Sequence, residues 1–141
     1  MEVFEGKGGN AGVGTESAAV VAIYPPTLLR IGEIGDAIAA LLGPKASREA
    51  EDAASPITYV HRNFPPTLLI HGNADDIVPI EASFSMYRAL AEAGAPVELH
   101  TYDGAPHAFD AVPELGRQVT DIIALFLDRK VANPREVTVA P

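Results

Sequence analysis

Three apolar runs punctuate this chain, and each closes on residues that stop a strand. Residues 18–24 read Ala-Ala-Val-Val-Ala-Ile-Tyr, between a Gly-rich stretch and Pro25-Pro26. Residues 67–71, Thr-Leu-Leu-Ile-His, make a second run, and residues 97–102, Val-Glu-Leu-His-Thr-Tyr, a third. A continuous apolar run, as at 18–24, suits a strand buried on both faces, the habit of parallel sheets. Between the runs the period becomes helical. Ile34, Ile38, Leu41 and Leu42 predict a helix over 33–42, stopped by Gly43-Pro44. Residues 47–54 read as a short polar helix ended by Ser55-Pro56. After Pro79 a helix is expected over 80–93, with Phe84, Tyr87, Leu90 and Ala91 on one face and Gly94 as its cap. Pro113 suits the first turn of a last helix. Behind it Leu115, Val119, Ile122, Ile123, Phe126 and Leu127 make an apolar stripe.

Strand and helix alternate, which predicts an α/β fold of about three parallel strands with flanking helices. No repeat or interior linker divides the sequence, so residues 1–141 read as a single domain. Residues 1–17 are a Gly-rich loop. A phosphate-cradling role for it is set aside, because no Gly-Lys-Ser/Thr follows and no strand precedes. Residues 132–141 read as a tail in which Val137 and Val139 suggest a weak edge strand.

Composition narrows the partners. The formal net charge of −9 disfavours nucleic acid and anionic membranes, which attract basic surfaces. No apolar run has the length of a transmembrane helix, and the amino terminus lacks a signal-type core, so the expected location is cytoplasmic. There is no cysteine, which excludes disulfides, thiolate metal sites and a thiol nucleophile.

In a parallel sheet the functional groups sit in loops at the carboxyl ends of strands. Two such loops carry chemistry here. Asp75 lies four residues after the second strand, and His107 stands in Gly104-Ala-Pro-His-Ala-Phe109 after the third. A carboxylate that accepts from an imidazole fixes its tautomer and stabilises its protonated form. A loop histidine also sits on many surfaces, an Asp can simply open an Asx turn, and Asp76 is a rival acid. The nucleophile is the gap. Ser17, Ser47, Ser55, Ser83 and Ser85 are the serines, and none sits in Gly-x-Ser-x-Gly between a strand and a helix. His71 reads as a packed residue with a satisfied ring, and His61 and His100 as structural or exposed. The histidines lack ligand-like spacing, and adjacent Asp75 and Asp76 are not a ligand set, so no metal or cofactor is expected.

At these residues the chain resembles the α/β-hydrolase superfamily, most closely the esterase/lipase branch related to feruloyl and acetyl-xylan esterases and to prolyl-oligopeptidase-like hydrolases. Three ordered blocks carry the likeness: 18–27 with its Tyr-Pro-Pro-Thr ending; 55–60 with Pro65-Pro-Thr-Leu-Leu-Ile-His-Gly72; and 104–109. In the pattern His-Gly-x-x-Asp-x-x-Val-Pro the acid falls on Asp75, and the base falls on His107. The resemblance implies a carboxylic ester hydrolase acting on a small-molecule ester, with residues 28–56 as a cap-like segment. It also implies the C-terminal half of that fold, without nucleophile elbow or oxyanion loop. A half sheet leaves its first strand with an open edge, so association with itself or a partner chain is expected there.

Overall fold

The computed structural model describes residues 12–30, 34 and 36–139. Its centre is a parallel sheet of three strands, β1 (Val20–Ile23), β2 (Thr67–Gly72) and β3 (Val97–Tyr102), in the order β1-β2-β3. Val20 registers with Thr67, and Thr67 with Val97. The helices are α1 (Ala37–Leu42), α2 (Arg48–Ala54), α3 (Glu81–Ala93) and α4 (Pro113–Leu127).

β2 is the central strand and every one of its residues is buried. The two-residue alternation of a strand splits its side chains between two cores. Leu68 and Ile70 pack with Phe109, Val119 and Phe126 on the α4 side. Leu69 packs with Met86 and Leu90 on the α3 side. This sandwiching explains the unbroken apolar run.

The sequence pattern and the structure differ in several places, among them Leu41 and Leu127, which are exposed and not on a buried helix face. β1 is shorter than residues 18–24 and only half-buried, because it is an edge strand and Tyr24 leaves the strand with φ 42°. The first helix begins at Ala37 rather than at 33; residues 31–33 and 35 lie outside the described set, and Ile34 faces a pocket. On α3 the buried positions are Ser83, Met86 and Leu90, while Tyr87 is exposed. The hydropathy of Phe84 and Tyr87 drew the predicted face one position away. No strand forms at Val137 and Val139, which are exposed.

Several caps follow the sequence. Gly94 adopts φ 75° and its N–H bonds back to the last turn of α3. The Ser47 hydroxyl accepts from Ala50 N–H at the start of α2. Ser55 is buried: its hydroxyl accepts from Leu29 N–H at 2.8 Å and donates to the Glu51 carbonyl at 2.7 Å. That bond ties the segment after β1 to α2. Among the described residues no helix is long and apolar enough to cross a membrane.

Candidate active site

β2 and β3 end level, with Gly72 in register with Tyr102, so their loops leave the sheet side by side. Asn73 stitches the loops together. Its backbone N–H donates to the Tyr102 carbonyl at 2.9 Å, and its side chain accepts from Gly104 N–H at 2.7 Å. Ala74 N–H donates to the Ala105 carbonyl at 3.1 Å. The approach demands glycine at 72, because a Cβ there would stand 2.1 Å from the Ala105 oxygen.

This stitching brings Asp75 to His107. Asp75 Oδ1 accepts from the N–H groups of Ile77 at 2.9 Å and Val78 at 2.8 Å. Its Oδ2 lies 2.8 Å from His107 Nδ1. The carboxylate is wholly enclosed. Burial alone pushes its pKa up, but the bonds from Val78 N–H, His107 and Ile77 N–H outweigh that and hold it below the ordinary value. The carboxylate is therefore ionised and accepts only, so Nδ1 carries the proton and Nε2 presents its lone pair. The His107 side chain keeps 25% of its exposure, and among the described residues nothing hydrogen-bonds to Nε2. This geometry can take a proton at Nε2 while the buried charge stabilises the imidazolium. Asp76, the rival acid, is exposed.

Tyr24 completes the enclosure, and the sequence reading gave it no site role. Its ring centroid is 4.2 Å from that of His107, tilted by 54°. Its hydroxyl donates to Asp110 Oδ1 at 3.0 Å. Burial, the Asp110 bond and the nearby negative charges raise its pKa, which keeps the donor protonated. The one sequence signal was its place, last in an apolar run before Pro25-Pro26. Ala108, next to His107, is left-handed at φ 60° and turns the chain out of the histidine loop.

The serines lie elsewhere. Ser83 is fully buried against His71, Ser55 is buried beneath the segment after β1, and Ser47 caps α2. Ser17 is exposed, and Ser85 lines a pocket. Among the described residues no serine hydroxyl bonds to His107. That pocket, of about 340 Å³, opens beside the acid loop. Its walls are Pro26, Leu28, Ile34, Val78, Pro79 and Ala82, with Glu81 and Ser85 also on its lining. His71 is fully buried with both ring nitrogens engaged, while His61 is exposed and His100 lies near Glu98. Among the described residues no group of three or more metal-ligating side chains comes together.

Known proteins share this arrangement of strands and loops. The chain is 42% identical over 77 residues to esterase LipQ of Mycobacterium tuberculosis, a stretch covering 53% of the chain and 18% of that protein. Among solved structures it superposes with TM-score 0.75 on a propionate-bound thermophilic esterase of Thermogutta terrifontis, at 21% identity, covering 95% of the chain and 50% of that structure. An acetyl ester-xyloside bifunctional hydrolase from Caldicellulosiruptor lactoaceticus gives TM-score 0.69 at 26% identity, covering 79% of the chain and 42% of that structure. The chain thus spans half or less of these esterase structures. The fold is that of α/β-hydrolase esterases. A family model described as "Prolyl oligopeptidase family" matches residues 36–133, and the chain belongs to that family.

Proposed function

We propose that this chain carries the acid and the base of a serine carboxylic ester hydrolase. The observation behind the reading is the 2.8 Å contact between the enclosed carboxylate of Asp75 and the Nδ1 of a partly exposed histidine. Asp75 orients His107. A serine hydroxyl gives its proton to Nε2 as its oxygen attacks the ester carbonyl, and the imidazolium returns that proton to the leaving alcohol. The same imidazole then activates water to release the acid. The pocket beside Val78 and Pro79 takes the acyl or alcohol group of a small ester. Its apolar walls and the esterase relatives support that substrate class.

None of the serines described above suits the nucleophile role. The reading therefore assigns a Gly-x-Ser-x-Gly turn and its oxyanion donors to polypeptide beyond this sequence, packed along β1. Among the described residues β1 is an edge; Val20 N–H donates to the Pro66 carbonyl just before β2, and Tyr24 N–H to the Ile70 carbonyl of β2. Strand alternation then turns the N–H groups of Val21 and Ile23 to the open side, as a template for another strand. The same edge favours a second reading, in which the half sheet pairs with itself and has no catalysis of its own.

The test is turnover of a short-chain nitrophenyl ester by the purified chain, alone and together with the polypeptide encoded immediately upstream. Hydrolysis that disappears in His107→Ala, in either sample, supports the acid–base assignment. Equal residual rates for wild type and His107→Ala in both samples would sink it. A symmetric, inactive dimer would then favour the second reading.

A further inference from the structure

The acid–base pair leaves one buried histidine and one buried serine without a task. His71, next to last in β2, is 0% exposed, as is Ser83 on α3. His71 Nδ1 lies 2.7 Å from Ser83 Oγ, and Nε2 lies 2.9 Å from the Val78 carbonyl oxygen. A carbonyl only accepts, so Nε2 bears the proton and Nδ1 accepts from the Ser83 hydroxyl. Both ring nitrogens are thereby satisfied in one neutral tautomer.

That N–H is directed at the Val78 carbonyl, next to the acid. Nε2 stands 3.3 Å from Asp75 Oδ2, the oxygen that receives His107. Val78 is held at both its backbone groups, its carbonyl by His71 and its N–H by Asp75 Oδ1. The turn that carries Asp75 is therefore tied through His71 to α3, and the His71 ring edge lies beside the carboxylate oxygen facing His107. A purely space-filling residue at the end of a buried strand needs neither feature.

The geometry points to Ser83 and His71 as a positioning pair that fixes the Asp75 carboxylate toward His107. This rests on the proposed acid–base role of Asp75 and His107, and it assigns Ser83 to support instead of nucleophilic attack. Supporting groups of this kind set ring orientation and carboxylate direction without touching substrate.

The test reads the Asp75–His107 bond directly, without turnover. Proton NMR of the purified chain should show a low-field signal from His107 Nδ1–H, identified by its loss in Asp75→Asn. In His71→Leu, which keeps bulk and removes both nitrogens, exchange of that proton with water should accelerate about tenfold, the equivalent of about 1.4 kcal/mol, through loss of the turn's anchor. His71→Gln places an amide donor near the Nε2 position and should restore exchange to within about threefold of wild type. Dispersed amide spectra establish that each variant is folded. A folded His71→Leu with wild-type exchange overturns the pairing. Should His71→Leu not fold, Ser83→Ala decides, since it keeps the ring and frees its tautomer. Faster exchange in Ser83→Ala supports the pair, and unchanged exchange overturns it. A wild-type protein lacking the low-field signal would overturn the Asp75–His107 contact itself, and this inference with it.

Discussion

Gly72→Ala tests how the two loops are joined. The substitution adds one methyl where β2 ends, 2.1 Å from the Ala105 oxygen and 2.7 Å from its carbonyl carbon. An unstrained carbon–oxygen contact is about 3.3 Å, so one of two backbones has to move by roughly 1 Å. Neither side is a flexible side-chain end. The obstructed oxygen also accepts from Ala74 N–H, so that bond is lost or lengthened. Overpacking a tight interior costs about 1–3 kcal/mol, and a buried hydrogen bond adds roughly 1 kcal/mol. A destabilisation of about 3 kcal/mol is expected, which lowers Tm by roughly 10 °C in a chain of this size. Gly94→Ala is the matched control. That position has φ 75° and open space around it, so only backbone strain of about 1 kcal/mol applies. Urea and thermal unfolding of both variants supply the measurement. If Gly72→Ala is no worse than Gly94→Ala, the close approach of the loops does not exist as described. The same variant should weaken the His107 Nδ1–H signal, because the displaced Ala105 lies two residues from the base.

Asp75 makes stability depend on acid. Its folded pKa is depressed, so the stability it contributes is complete above the unfolded value near 3.9 and lost as pH falls through the lower folded value. Urea midpoints from pH 6 to pH 3 should fall more steeply for wild type than for Asp75→Asn, and parallel curves would refute the hydrogen-bonded carboxylate. Leu90→Ala empties a fully buried site on α3 and should cost about 3 kcal/mol in urea unfolding, whereas under 1 kcal/mol would mean that the α3 core is not packed against Leu69. Tyr24→Phe keeps the ring beside His107 and removes the donor to Asp110. A loss of about 1 kcal/mol is expected, and a gain in Tm would contradict the bond.

Much of the fold is legible because local signals agree with the tertiary arrangement. The run at 67–72 is unbroken because its residues face two cores, and Gly94 marks a helix end because only a left-handed residue closes it. The places that misled are those where a neighbour sets the role. Ser83 sits on the buried face of α3, where a hydropathy pattern sees no core residue, because the ring of His71 engages its hydroxyl. Tyr24 looks like the end of a strand, yet it turns out of β1 to lie against His107, 83 positions later in the chain. Ile34 has helical spacing, but it lines the pocket ahead of α1. Asp75 and His107 meet because strand order sets their loops side by side, whereas the His71–Ser83 contact behind them is one that no spacing announces.

The division of labour along the sheet has a physical consequence. Among the described residues every hydrogen bond to Asp75 comes from its own turn or from the loop after β3, and the stitches through Asn73 and Ala74 join the same two loops. β2 and β3 pair along six positions and β1 and β2 along four, so the loops carrying Asp75 and His107 are held by the longer strand pairing. A strand docking on the far side of β1 would lie across β1 from β2 and β3, the strands whose loops carry Asp75 and His107. The proposed nucleophile would thus arrive at a base whose tautomer and direction are already fixed. On the proposed reading the partly exposed His107 ring and the half-buried β1 are two parts of one incomplete surface. On that reading the missing strand, serine turn and oxyanion donors would be added beside β1, with the Asp75–His107 pair left in place.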